Sequence, residues 1–216
     1  MVRGFAALVL ICTINLSLAS SDLALIEAAS KGDAISVRKL LEAGASIKAR
    51  DASGRTALVA ATFENRIEVA RVLIAAGADV NAQDDLKNSA FLLAGARGYL
   101  DILKLTVEAG ADLKSTNRFG GTALIPACHY GHVETVRYLL TTKIDIDHVN
   151  KFGWTALLEA VILGDGGPAH TEIVRLLVAA GAKINLGDGQ GVTPLAHAKF
   201  AGFREIQAVL TKAGGK

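Results

Sequence analysis

The chain has 216 residues, a formal net charge of +2, and 51% hydrophobic but only 5% aromatic residues. This length is enough for one elongated domain, and the scarcity of aromatic residues argues against a single deep aromatic core. The small net charge gives no long-range attraction for phosphates. Since the sequence also shows no basic stripe or nucleic-acid-reading motif, we do not expect a nucleic-acid partner.

The first 19 residues have the pattern of a secretory signal peptide. Arg3 gives a short positive start, residues 4–18 are uncharged and mostly apolar, and Ser17 and Ala19 place small residues before a cleavage site after Ala19. The alternative is an uncleaved membrane anchor, but a spanning helix needs about 20 apolar residues and this stretch is shorter. We therefore expect a mature chain, 20–216, that is periplasmic or secreted and does not associate with a membrane.

The rest of the chain repeats with a period of 33 residues. An Asx residue recurs at this interval, and each is followed by a hydroxyl residue, a small residue and an apolar residue. The Asx positions are Asp51, Asp84, Asn117, Asn150 and, after 38 residues, Asp188, and the triplets begin at Thr56, Ser89, Thr122, Thr155 and Thr193. Repeats of this length indicate stacked units, which form binding surfaces far more often than active sites.

Each interval predicts a pair of helices. In the unit that begins at Asp51, Thr56 is placed to cap a first helix, on which Leu58, Ala61 and Thr62 share one face. A second helix follows a two-residue break and ends before a glycine, a residue suited to the left-handed conformation found there. Because one unit cannot cover its own apolar face, its neighbours must do so.

This pattern resembles the ankyrin repeat. Residues 51–83, DASGRTALVAATFENRIEVARVLIAAGADVNAQ, follow the family pattern nearly end to end. The resemblance extends from about residue 22 to the C-terminus and implies an all-α repeat solenoid, an ankyrin stack of about six helix-turn-helix units joined by β-hairpin-like loops. The expected units within the ankyrin-repeat domain are 20–50, 51–83, 84–116, 117–149, 150–187 and 188–216.

The chain departs from the family pattern in four respects. The histidine that usually follows the triplet is replaced in every unit, so we expect cohesion between units to depend more on apolar packing. Lys87 and Lys143 stand where other units have glycine, which predicts altered turns. Unit five has five additional residues within 164–170, whose glycines and proline predict a surface loop. This loop either extends a binding surface or varies without a role.

The sequence shows no motif for catalysis, for a metal or for a cofactor, so we expect none of these sites. His129 and His132 have the spacing i, i+3 but lack a third ligand nearby. Cys128, the only cysteine after the signal segment, is expected to be a small buried residue. An enzyme is therefore disfavoured, although a deep pocket with convergent polar groups would revive that class.

The resemblance places partner contacts on the hairpin tips and on the exposed inner face of the first helices. The candidate partner-binding residues are Phe63, Arg97, Arg118, Phe119, His129, Tyr130, Lys151, Phe152, Trp154 and Leu163. Four of the few aromatic residues converge on units four and five, flanked by Arg118 and Lys151, and aromatic residues with arginine are typical of binding hot spots. The alternative is that Phe119 and Phe152 only pack one hairpin against the next.

These observations together predict a monomeric, non-enzymatic module that binds another protein on its concave face. Its role would be that of an inhibitor or immunity protein, or of an adaptor for an envelope protein. The alternative is an exported effector of a host-associated bacterium, which would bind a host protein.

Overall fold

The computed structural model describes residues 20–216, so the predicted signal segment lies outside the described residues. This range contains helices and turns but no strand. In chain order its helices are 20–31 (α1), Ala34–Glu42 (α2), Ala57–Phe63 (α3), Ile67–Ala75 (α4), Ala90–Arg97 (α5), Leu100–Glu108 (α6), Leu124–His129 (α7), Val133–Leu139 (α8), Ala156–Ile162 (α9), Pro168–Ala179 (α10), Pro194–Ala201 (α11) and Arg204–Lys212 (α12).

The helices form two rows. First helices pack on first helices of the next unit, as α3 on α5, α5 on α7, α7 on α9 and α9 on α11. Second helices do the same from α2 through α12. This arrangement confirms the predicted all-α repeat solenoid, in which each unit covers the apolar face of its neighbour.

Equivalent residues of successive units form the core. The apolar residue of the triplet is buried in each unit, at Leu58, Phe91, Leu124, Leu157 and Leu195. An alanine three residues later is fully buried at Ala61, Ala94, Ala127, Ala160 and Ala198. Small side chains let the first helices approach closely. At Gly95 on α5, an added Cβ would lie 2.7 Å from the Cβ of Ala123 in the next unit.

The hydroxyl residue of the triplet caps the first helix in four units. Thr56, as predicted, accepts a hydrogen bond from the backbone N–H of Val59, and Ser89, Thr155 and Thr193 do the same in their units. Unit four differs, because α7 begins later and the Thr122 hydroxyl is buried without a hydrogen-bond partner. Pro126 accounts for the later start of α7, because it lacks the N–H that Ala60 donates to the Thr56 carbonyl in unit two.

Each hairpin tip is closed by its Asx side chain. Asp51 Oδ1 accepts hydrogen bonds from the backbone N–H groups of Ser53 at 2.8 Å and Arg55 at 3.0 Å. Between these two residues Gly54 has a left-handed φ of 72°. The same pair of bonds recurs at Asp84, Asn117, Asn150 and Asp188. These turns hold the hairpin tips in equivalent positions along one side of the stack.

The two lysines that replace glycine behave differently. Lys87 keeps the left-handed conformation of the glycine it replaces, with φ at 59°, so the turn there is not altered. Lys143 does not adopt the left-handed conformation of its counterparts, such as Gly110. The Thr142 hydroxyl instead donates to the Leu139 carbonyl at 2.6 Å and accepts from the Ile144 N–H at 3.2 Å, which ends the second helix by another route.

Polar side chains link the units in addition to apolar packing. At the turn between the two helices, Arg66 Nε donates to the Ser30 carbonyl at 3.0 Å, and His132 Nε2 lies 3.2 Å from the Ala96 carbonyl. Gln83 joins hairpins by donating from Nε2 to the Thr116 carbonyl at 3.0 Å. None of these bonds involves the position at which the family usually has histidine. Although that histidine is absent, hydrogen bonds at other positions still link the units.

The insertion in unit five is only partly a surface loop. Residues 163–167 form the loop, whereas Pro168 begins α10 and the rest of the insertion forms its first turn. Proline suits this position because the first helical N–H has no partner within the helix. His170 is buried, and its Nε2 lies 2.8 Å from the His129 carbonyl of unit four. The prediction of a surface loop was therefore wrong for 168–170, which tie units four and five together.

Candidate functional site

A cleft of about 440 Å³ opens on the side of the stack formed by hairpin tips and first helices, which we call the hairpin-side face. It lies between units four and five and reaches the edge of unit three. Seven of the ten predicted site residues line it, namely Arg118, Phe119, His129, Tyr130, Phe152, Trp154 and Leu163. The repeat brings these residues together because equivalent positions of adjacent units stack side by side.

The walls of the cleft are aromatic. The Phe119 and Phe152 ring centroids are 5.9 Å apart, and the Phe152 and Trp154 centroids are 5.5 Å apart. Hairpin packing therefore occurs, yet Phe119 remains 45% and Phe152 55% exposed. On the other wall Tyr130 is 59% exposed and stacks on the His129 ring at 4.2 Å. These half-exposed rings leave apolar surface that the chain itself does not cover.

Two cations stand at the rim of the cleft. The Arg118 guanidinium lies over the Phe119 ring, 4.6 Å from its centroid. Lys151 Nζ donates a hydrogen bond to the Arg118 carbonyl at 2.9 Å, which ties the two hairpin tips together. Lys151 thus adjoins the cleft but does not line it.

The remaining two predicted residues form a separate cluster. The Phe63 ring centroid of unit two lies 6.0 Å from the Arg55 guanidinium and 4.7 Å from the Arg97 guanidinium. Neither Phe63 nor Arg97 lines the cleft. The structure therefore divides the predicted set into a main cleft in units four and five and a second aromatic-cationic cluster in units two and three.

A buried carboxyl group, Glu159 of α9, forms part of the cleft lining. The residue is 6% exposed, and its Oε1 accepts a hydrogen bond from Asn150 Nδ2 at 2.8 Å. Its Oε2 lies 3.4 Å from His129 Nδ1. Burial raises the pKa of Glu159 to about 7, and the Asn150 hydrogen bond only partly opposes this shift. In the described part of the chain no lysine or arginine forms an ion pair with this carboxyl.

Burial also shifts the pKa values of two neighbours of Glu159. Burial lowers the pKa of His129, and the charge of His170 lowers it further. Burial also raises the pKa of the Cys128 thiol well above its ordinary value, with a smaller contribution from the negative charge of Glu159. Cys128 is fully buried, as predicted, and its thiol is therefore protonated and inert.

Glu159 and its partner Asn150 were not among the predicted site residues. Glu159 is the only charged residue in the apolar run 156–163, ALLEAVIL, and an isolated charge in a buried helix is the signal that identifies it. Asn150 was noted only as an Asx residue of the repeat. It both closes its hairpin tip and donates to Glu159.

The polar groups that converge in the cleft include Glu159, His129 and Tyr130, and its lining contains no serine, threonine, cysteine or lysine. Across residues 20–216 no group of three or more His, Cys, Asp or Glu side chains is placed to hold a metal ion. Over the same range no helix has both the length and the apolar character needed to cross a membrane. An aromatic cleft of this kind is suited to recognition of another molecule.

Known proteins similar to this chain share its repeats. The family model described as ankyrin repeats (3 copies) matches residues 5–84 and 91–188. A crystal structure of an ankyrin repeat domain from Acinetobacter baumannii AYE is 54% identical, with a TM-score of 0.86, over 89% of this chain and 98% of that one. The ankyrin repeat protein EF0377 is 39% identical, with a TM-score of 0.85, over 88% of this chain and 98% of its own.

A curated relative matches a shorter segment. The ankyrin repeat protein YahD of Escherichia coli K12 is 46% identical over 56 residues, which is 26% of this chain and 28% of YahD. The match thus spans about a quarter of the relative's length. It agrees with the assignment of the repeats.

Proposed function

We propose that this chain, a member of the ankyrin-repeat family, binds a partner protein on its hairpin-side face, with the cleft of units four and five at the centre of the contact. Ankyrin repeats form protein-interaction modules, and this fold typically serves binding without catalysis. The observation that carries the proposal is the group of aromatic rings that line one cleft and remain about half exposed. Uncovered aromatic surface beside arginine is the composition of binding hot spots.

The geometry of the cleft favours a rigid, preformed contact. Phe119, Phe152 and Trp154 project from hairpin tips that are closed by Asn117 and Asn150 hydrogen bonds. The Lys151 N–H donates to the Phe119 carbonyl at 3.0 Å, so the two tips are also held to each other. A partner that covers these rings therefore does not have to order them first, which lowers the entropic cost of association.

The proposed setting is the periplasm or the exterior, after cleavage of the signal segment near Ala19. There the chain acts as a monomer and serves either as an inhibitor or immunity protein or as an adaptor for an envelope protein. An exported effector that binds a host protein is the alternative outcome. The pattern of residues 1–19 supports the setting, and the identity of the partner decides among the roles.

The test is affinity capture from periplasmic and secreted fractions with the wild-type protein and the double variant Phe152→Ala/Trp154→Ala. We expect one dominant protein with the wild type and its loss with the double variant, since removal of two hot-spot rings costs several kcal/mol of binding, on the order of 3–6. The control is Ile35→Ala, which removes a 67% exposed apolar side chain of α2, on the second-helix side of the stack, and leaves capture unchanged.

Circular dichroism checks that the variants keep their helical content. Because Trp154 is partly buried, Tyr130→Ala provides a second variant at a more exposed ring of the same cleft. Equal capture by the wild type, the double variant and Tyr130→Ala would overturn the assignment of the cleft. The absence of a specific partner from both fractions would count against the inhibitor or immunity role and favour the effector role.

A further inference from the structure

The carboxyl of Glu159 is unusual in the cleft because it is buried without a lysine or arginine partner from residues 20–216. It is almost fully buried, it receives one hydrogen bond, from Asn150, and its nearest basic neighbour is the imidazole of His129 at 3.4 Å. A buried carboxylate is costly unless a cation pairs with it, and no lysine or arginine of the described chain does so. Its only basic neighbour in the described chain is thus an imidazole, whose pKa is lowered by burial, and no permanently charged group pairs with it.

The surroundings of this carboxyl are also suited to a cation. Aromatic rings attract an ammonium or guanidinium group through the negative charge of the ring face, and the attraction is strongest for tryptophan. Trp154, Phe152 and Phe119 line the same cleft as Glu159. Aromatic walls also pack well against the methylene stem of a lysine or arginine.

We propose, on the basis of the function proposed above, that the cleft accepts a lysine or arginine side chain of the partner protein. The stem of that side chain packs between the aromatic rings, and its charged end pairs with the Glu159 carboxylate. This assigns the partner an exposed basic residue at the centre of its contact surface.

The cations at the rim do not favour an acidic guest instead. Arg118 is stacked on Phe119 and Lys151 is bonded to a backbone carbonyl, so both are fixed at the mouth of the cleft. An acidic side chain that entered would meet the Glu159 carboxyl inside. These two cations are better placed to contact acidic residues that surround the basic residue of the partner.

Binding of a cation is coupled to release of a proton. With a pKa of about 7 in the empty cleft, Glu159 is largely protonated at pH 5 and largely ionised at pH 8. The ionisable groups that face it are His129 and the protonated Cys128 thiol, while His170 acts on His129. Any protonation of His129 at low pH adds a positive charge beside the site and weakens cation binding further. Affinity for a cation therefore rises from pH 5 to pH 8.

The test uses the full-length chain and blocked tripeptides acetyl-Gly-X-Gly-amide, where X is lysine, arginine, norleucine, glutamine or glutamate. Trp154 is the only tryptophan of the chain, so its fluorescence reports on the cleft directly. At pH 8 we expect the lysine or arginine peptide to bind at least about tenfold more tightly than the norleucine peptide, which has a neutral stem of similar size. At pH 5 this preference is expected to fall by about tenfold or more.

The diagnostic variant is Glu159→Gln, which keeps an acceptor for Asn150 but removes the charge. It is expected to lose the preference for lysine and arginine, whereas Glu68→Gln, a change at a 74% exposed carboxyl of unit two, keeps it. Equal binding of the lysine and norleucine peptides, a preference for glutamate, or a preference that survives Glu159→Gln would each overturn the proposal.

The outcome is separable from that of the proposed function. If Glu159→Gln captures the same partner as the wild type with undiminished affinity, the cleft does not take a basic residue, although the protein is still a binding module. If no partner is captured but the tripeptides show the expected preference, the cleft recognises a cation and the assigned protein partner is wrong.

Discussion

Replacement of Glu159 by glutamine is expected to change how the stability of the protein depends on pH. The carboxyl has an ordinary pKa of 4.5 and, because it is buried, a pKa of about 7 in the folded protein. Between these values the folded state binds more protons than the unfolded state, so the free energy of unfolding falls as pH rises. Glutamine has no such proton. The stabilisation that the wild type gains at low pH is therefore absent from Glu159→Gln.

The magnitude follows from the size of the shift. One pKa unit corresponds to about 1.4 kcal/mol, so the full shift from 4.5 to about 7 is equivalent to roughly 3 kcal/mol. Glu159 is almost fully buried, but relaxation of its surroundings and entry of water into the cleft reduce the effective shift, and we therefore expect about 1–2 kcal/mol. For a domain of this size that corresponds to a change of about 2–8 °C in Tm between the wild type and the variant across the pH range.

The assay is urea unfolding of the wild type and Glu159→Gln at pH values from 4.5 to 8, with circular dichroism as the signal. Burial lowers the pKa values of His129 and His132, which makes stability fall in both proteins as pH falls below the ordinary histidine value of 6.5. Only the difference between the two curves isolates Glu159. Relative to the variant, the wild type should be most stable near pH 4.5 and lose that advantage towards pH 8. Parallel curves would refute the argument, and Glu68→Gln should follow the wild type.

Two further substitutions test the packing of the stack and its turns. Gly95→Val is expected to destabilise the protein by about 1–3 kcal/mol in urea unfolding, because its Cβ would lie 2.7 Å from that of Ala123 and push α5 from α7. Valine has a higher helix propensity than glycine, so a loss of stability reports the clash and not helix propensity. Lys87→Gly is expected to raise the free energy of unfolding by up to about 1 kcal/mol, because glycine removes the cost of the left-handed φ of 59°. An unchanged or lower urea midpoint for Lys87→Gly would contradict this reasoning.

The repeat made most of the fold predictable. Thr56 could be assigned as a cap, and Leu58 and Ala61 as core, because the same local choices recur and each agrees with the helix period. The repeat pattern predicts the structure less well where a single residue changes the local hydrogen bonding. Pro126 removes the N–H that would donate to the Thr122 carbonyl, and α7 therefore begins later than its counterparts.

The candidate site was predictable only in part. The periodicity places Phe119, Phe152 and Trp154 on adjacent hairpins, so their proximity followed from the spacing. The periodicity does not predict that a carboxyl group from a first helix lines the same cleft. That depends on how deeply the Glu159 side chain is buried between two units. The insertion was misjudged for a related reason. Its glycines do form a loop, but Pro168 begins a helix that buries His170.

The two rows of helices also set how the molecule responds to force. From α3 to α12, each helix contacts helices of its own unit and of the adjacent units, and no single central core is shared by all the described helices. A force applied to the two ends of the chain is therefore expected to break the interfaces between units one at a time. A complete unit of 33 residues releases about 110–120 Å of chain when it is pulled out, whereas the 38 residues between Asn150 and Asp188 release about 125–135 Å. The extension released by unit five is longer than that of the 33-residue units. It therefore identifies the unfolding of the unit that holds Glu159 and Trp154.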